Sequence, residues 1–333
     1  MIIVAQDYGT TIGKRSNCLY IENLKGTKEI CVDKITEIHV YPSCKISSDA
    51  IQLCMQKDIW IMFVNNYGEP EGEIVPFSGG CSPIYKRKQL FLSHRKEGVE
   101  IAKQFLIQKI ENRIQQLKKI LHNKRKYDTV LFLSTSIKKM EEELEKIRAC
   151  QSDDMDKVRE SLQGYEGTAG RAYFECISYL LPDSLKFSQR TRNADDVYNC
   201  VLNYLYGIMY AKIKKITYKC RLDPYIGIMH VDSYNKPTFV FDFIEGQRIF
   251  CEEIAFEICS KQLITRDDMN DTDKGFRFTE QARQIIVSKF YDKLKEECYY
   301  KKKQVTIERK IYLEMLEIAQ RIGDIKENVL DAV

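Results

Sequence analysis

Over roughly the first eighty residues the apolar positions come in short or alternating runs. Ile2–Ala5, Cys18–Glu22, Ile30–Val32, Glu37–Val40, Ile59–Val64 and Glu73–Val75 read as strands, separated by turn chemistry such as Asp7-Tyr8-Gly9 and Asn65-Asn66-Tyr67-Gly68. One helix interrupts them, capped by Ser47 or Ser48 and running through Met55. Gly79-Gly80 and Pro83 then punctuate a change of period. From about Gln89 onward the chain is long, charged and periodic at helical spacing. Ile101, Phe105, Ile107, Ile110, Ile114, Leu117 and Leu121 form one apolar stripe, and Val130–Arg148 supplies another with a Glu-rich outer face; both read as core packing. The pattern predicts an α+β chain: a small N-terminal β-sandwich-like domain (1–78), a linker (79–90) and an all-α domain (91–333).

Composition narrows the class. With 333 residues, 44% of them hydrophobic and 30% charged, and no apolar run long enough to span a bilayer, the chain reads as a soluble two-domain protein. Its twelve cysteines form no C-x-x-C and no signal peptide precedes them, so neither a thiolate zinc site nor a secreted disulfide framework is favoured. A cytoplasmic location follows as the expectation. The net charge of +4 decides nothing about nucleic acid, but its distribution is uneven. Thirteen Lys or Arg stand against three Glu between Lys86 and Lys126, and Lys212, Lys214, Lys215, Lys219 and Arg221 form a second cluster. A solvated helix face and a phosphate-binding surface both account for such runs.

Candidate chemistry lies in three segments. GYEGTAGRAYF carries Glu166 and Arg171, LDPYIGIMH ends in His230, and FVFDFIEGQR carries Asp242, Glu245 and Arg248. Carboxylates repel a phosphodiester, so acidic groups beside arginines make chemical sense when a divalent ion sits between them and the substrate. Each segment also has a plainer reading. Glu166 suits a solvated helix position and His230 a satisfied core position. Asp242 and Glu245, one helical turn apart on one face, suit a structural ion-pair stripe with Arg248. The glycines of GYEGTAG lack a following Gly-Lys-Ser/Thr, which argues against a nucleotide loop.

Taken together and in order, these segments resemble the CRISPR adaptation integrase family, the universal spacer-acquisition nuclease. The family's Glu in G-x-E-G, His closing L-D-P-Y-x-G-x-x-H, and acidic pair in D-x-x-E-x-x-R are all present. NCVLNYLYGIMY resembles its Asn-led helix, DKGFRFTEQARQ its late Gly-Phe block, and the stretch from Val32 to Gly72 its β domain. The resemblance implies Glu166, His230 and Glu245 as ligands of Mg²⁺ or Mn²⁺, with Asp242 adjacent. Glu stands at 245 where many members have Asp, and Gly246 and Gln247 replace the expected Pro and Phe. These departures leave open which of Asp242 and Glu245 is the more direct ligand, and where Arg248 sits.

The resemblance further implies a metal-dependent transesterification of double-stranded DNA, inserting short fragments into a CRISPR repeat array. Associated DNA endonuclease activity is implied with it. Arg171, Arg190, Arg192, Lys219 and Arg248 are its candidate phosphate contacts. A homodimer joined through the β domain and a complex with a small ferredoxin-like second adaptation protein are the implied assemblies. A transposon-borne integrase of the same fold, or an inert architectural DNA-binding subunit, are the alternatives; the first usually carries added DNA-binding domains, for which little room is expected here.

Overall fold

The structure, a computed structural model, describes residues 2–65, 70–76, 82–192, 194–272 and 275–325. Residues 66–68 of the expected Asn65-Asn66-Tyr67-Gly68 turn, the Gly79-Gly80 punctuation and the Asp273-Lys274 start of the late block lie outside them. The chain falls into two compact units, Met1–Gly80 and Cys81–Val333.

The first unit contains strands β1 (Ile2–Ala5), β2 (Thr11–Arg15), β3 (Cys18–Asn23), β4 (Gly26–Cys31), β5 (Glu37–Val40), β6 (Lys45–Ile46), β7 (Trp60–Val64) and β8 (Pro70–Ile74), with helix α1 (Ser48–Gln56) before β7. They form two four-stranded sheets, ordered β1-β5-β7-β8 and β4-β3-β2-β6. Alternation turns Ile3, Ala5, Ile38 and Val40 inward, and Ile12, Leu19 and Ile30 of the second sheet join the same core. Central β7 is buried almost along its length, as a strand flanked on both edges requires. Ser47 caps α1 by accepting the Ala50 amide at 3.2 Å, the cap anticipated above. Strand β2 was not anticipated, because TIGKR holds one strongly apolar side chain. The two-residue turn at Ser16-Asn17, with Ser16 at φ 52°, folds it against β3.

The second unit contains α2 (Pro83–Leu90), α3 (Lys96–His122), α4 (Tyr127–Ala149), α5 (Arg159–Leu180), α6 (Val197–Lys219), α7 (Thr238–Ser260), α8 (Glu280–Lys295) and α9 (Ile307–Asp324). The stretch read as linker therefore holds a helix, with Pro83 at its first turn where a missing N–H costs nothing. The unit is mostly but not wholly helical. Among the described residues it holds two antiparallel strand pairs, β9 (Met269–Thr272) with β10 (Gly275–Phe278) and β11 (Glu297–Tyr300) with β12 (Lys303–Thr306). The second turns at Lys301-Lys302, both at positive φ, which puts the lysine run at an exposed hairpin tip. Helix α7 is buried nearly all round and packs on α3 and α6, with Phe243 edge-on to Phe105 at 5.6 Å. Among the described residues no helix is long and apolar enough to cross a membrane.

Candidate functional site

Three segments meet on α7. The segment before it brings His230, α5 brings Glu166, α3 brings Lys109 and Arg113, and α7 itself supplies Asp242, Glu245, Arg248 and Glu252. Glu166 lies inside α5, so GYEGTAG is helix rather than loop.

Asp242 has no exposed surface, yet none of its charge is stranded. Its carboxylate accepts the backbone N–H groups of Ile228 (2.6 Å), Met229 (3.1 Å) and His230 (3.0 Å), and pairs with His230 Nδ1 at 2.7 Å. That contact occupies Nδ1 and leaves Nε2 as the ring's outward atom. Burial alone would lower the His230 pKa, but the Asp242 carboxylate outweighs it and holds the ring above its ordinary value. The loop can fold this tightly because residue 227 is glycine; a Cβ there would stand 2.5 Å from the His230 carbonyl oxygen.

Glu245 turns the other way. Its carboxylate receives Lys109 Nζ at 2.5 Å and a two-pronged contact from Arg248, Nε at 2.9 Å and Nη2 at 2.8 Å. Lys109 Nζ also lies 2.5 Å from Glu166 Oε1, so two carboxylates converge on one cation. Burial would raise the Glu245 carboxyl, but Arg248 and Lys109 hold it well below the usual carboxylate range. Gly246 lets α3 come close: a Cβ there would meet Gln108 Oε1 at 2.4 Å, and Asn112 reaches the Gly246 carbonyl at 3.1 Å. Glycine at this position thus belongs to helix packing and leaves Arg248 firmly placed.

Behind this pair, Arg113 forms a forked contact with buried Glu252 (Nε–Oε2 3.0 Å, Nη2–Oε1 2.5 Å), which also accepts the Tyr206 hydroxyl at 2.8 Å. Burial pushes the Glu252 carboxyl up, and Arg113, Lys109 and Tyr206 together bring it below its ordinary value of 4.5. A lowered folded pKa stabilises above the unfolded value, and that contribution is lost as pH falls through the folded one. Glu252→Gln should therefore cost about 3–5 kcal/mol near pH 6. The gap from wild type should shrink as the pH falls from about 4.5, a trend that urea unfolding at several pH values would read.

Of the sequence-predicted residues, Glu166 and Glu245 are brought to one point, and Asp242 to His230. The ligand atoms of Glu166, His230 and Glu245 do not all approach within 4.8 Å of one another. Among the described residues that closeness is found for His94, Asp154 and Asp156, whose groups pair with each other, with a backbone amide and with Arg159. Lys109 stands between the two glutamates and accounts for their spacing. The donor set nonetheless suits a divalent ion: two carboxylates already gathered on one positive charge, and an imidazole with Nε2 turned outward. Arg171, Arg190, Arg192 and Arg248 line a cleft of about 560 Å³ with Lys109, Arg113 and Glu166. Lys219, exposed in the last turn of α6, is not part of that lining.

The run from Lys86 to Lys126 is not one surface. Lys103, Lys109 and Arg113 are buried, and Lys103 donates to the carbonyls of Arg148 and Cys150. Sequence reasoning passed over Lys109 and Arg113. The available signal was their placement beside Ile110 and Ile114, two basic residues one turn apart on the apolar stripe of α3.

The family model described as "CRISPR associated protein Cas1" matches residues 3–292. A CRISPR-associated endonuclease Cas1 from Archaeoglobus fulgidus is 25% identical over 315 residues, covering 90% of each chain. Among solved structures, a casposase bound to integration product superposes with a TM-score of 0.79 at 20% identity, covering 98% of this chain and 91% of its own. A chain of a Cas6-RT-Cas1–Cas2 complex does so with a TM-score of 0.76 at 20% identity, covering 98% of this chain and 35% of its own.

Proposed function

This chain belongs to the CRISPR-associated Cas1 family, and from that membership we propose that it is a DNA endonuclease and integrase of the Cas1 kind, inserting short duplex fragments into a CRISPR repeat array. The observation that carries this reading is the convergence of Glu166 and Glu245 on one positive charge, beside a histidine fixed by a buried aspartate and under a cleft lined with arginines.

Glu166, Glu245 and His230 Nε2 would hold Mg²⁺ or Mn²⁺, which when bound polarises the target phosphate and offsets charge on the attacking and leaving oxygens. The chain's own groups do the positioning. Asp242 fixes the ring and the 228–230 backbone in one geometry. Arg248 locks the Glu245 rotamer and stacks on Tyr206 at 4.6 Å. Arg190 is seated by Asn199 (2.9 Å) and Asn203 (2.6 Å), which orients the cleft wall toward an anionic backbone. Arg171 and Arg192, exposed at the rim, would meet phosphates further out.

The nucleophile belongs to the substrate, a 3′-hydroxyl of the incoming fragment. A labelled duplex with 3′-hydroxyl ends should therefore join a repeat-containing target, whereas 3′-dideoxy ends should bind and fail to join. Equal joining from both, or a protein–DNA adduct that survives denaturant, would overturn the mechanism. We assign the β unit, 1–78, to homodimerisation, 79–90 to the connection and 91–333 to catalysis, working with a small ferredoxin-like second adaptation protein. The casposase likeness favours a transposon-borne integrase as second reading; a repeat array beside the gene separates the two. An inert architectural DNA-binding subunit would keep its function when Glu166 or His230 is lost.

A further inference from the structure

In the N-terminal unit, β3 and β4 form an antiparallel ladder in which Cys18 stands directly opposite Cys31. The flanking bond runs from the Val32 amide to the Asn17 carbonyl at 3.2 Å, one residue outside the pair on each strand. That pattern makes Cys18 and Cys31 a non-hydrogen-bonded pair, the closer of the two antiparallel geometries, with Cα atoms about 4.5 Å apart. This is the short end of the span a disulfide bridges, about 4.4–6.8 Å.

Neighbouring positions fix the face. Leu19 and Ile30, the next pair along the ladder, are buried in the core, so by alternation Cys18 and Cys31 point to the opposite side. Both cysteines are half-buried and neither is in a disulfide. Cys31 is a side-chain hydrogen-bond neighbour of Cys18, and Cys31 Sγ lies 3.8 Å from Asp33 Oδ2. Arg15 stands opposite Cys18 on β2 but pairs with Glu29 at 3.7 Å, and burial, Cys31 and Glu29 hold the Cys18 thiol above its ordinary pKa. The remaining described cysteines of this unit, Cys44 and Cys54, lie on other elements.

We propose that Cys18 and Cys31 are a redox modification site: a vicinal cross-strand pair that low-molecular-weight disulfides convert into an intrachain disulfide clamping β3 to edge strand β4. The exchange is balanced. One thiolate attacks a sulfur of the small disulfide, forming a mixed disulfide and releasing one small thiol. The other cysteine thiolate then displaces the second small thiol and closes the Cys18–Cys31 bond. Two electrons and two protons pass from the pair to the small disulfide.

The test is incubation of the full chain with glutathione disulfide, followed by alkylation, peptide mapping and a melting curve. The pair should lose both alkylatable thiols together, yield a linked peptide containing Cys18 and Cys31, and raise the melting temperature of the N-terminal unit. Cys18→Ser and Cys31→Ser, half-exposed changes that leave the core intact, should each abolish the linked peptide and the shift, and dithiothreitol should reverse both in wild type. A persistent glutathione adduct on either cysteine, an intermolecular link through them, or both thiols staying alkylatable would overturn the proposal.

Discussion

Alanine at Glu166, His230 or Glu245 is expected to remove DNA joining, a loss on the order of a thousandfold or more, because each change deletes a group from a site that works as a unit. Duplex binding should persist, since the arginines of the cleft wall are untouched. The three variants should part company in stability. Glu245→Ala leaves Lys109 and Arg248 without their shared anion in the interior, which costs about 3–5 kcal/mol. Glu166 is a quarter exposed, so its loss is felt mainly in chemistry. Gel analysis of joining in Mn²⁺, alongside urea unfolding of each variant, separates the two effects. A His230→Ala protein that joins DNA at the wild-type rate would remove that residue from the site.

Asp242→Ala is expected to be worse for folding than any of these, because the Asp242 carboxylate is already engaged by the protein itself. The carboxylate neutralises three backbone N–H groups and the ring of His230 from a position with no solvent contact. Its removal leaves those donors buried without partners, at about 1–3 kcal/mol for each one that water cannot reach. Asp242→Asn keeps the shape but presents a donor to one of those N–H groups, and it frees the ring to rotate. Joining should then fall by about 10–100-fold, the usual effect of losing an outer partner of a ligand. A near-native melting curve for Asp242→Ala would show that the 227–237 loop holds without its anchor.

These two residues illustrate how far the sequence could be read. Their three-residue spacing correctly predicts neighbouring turns of one helix and suggests a shared task. On a helix, positions three apart diverge by about 60°. Here that divergence sends Asp242 to the loop and Glu245 to α3. The apolar stripe of α3 was legible because burial repeats locally. Lys109 and Arg113 were not, because their partners lie on α5 and α7, and no local pattern marks which buried lysine will find a carboxylate. Strand β2 and the β11–β12 hairpin of the helical unit escaped for a related reason: short segments of mixed polarity become strands only through the partner a tight turn brings beside them.

Lys109, Arg113 and Arg248 face Glu166, Glu245 and Glu252, three cations against three anions. The acidic groups therefore have their electrostatic repulsion relieved from within the polypeptide. This pairing is expected to uncouple folding from ion supply, unlike in small metallodomains that collapse when stripped. A chelator should therefore leave the melting temperature of the helical unit unchanged, and a chain with that property would reach its native shape before any divalent ion arrives.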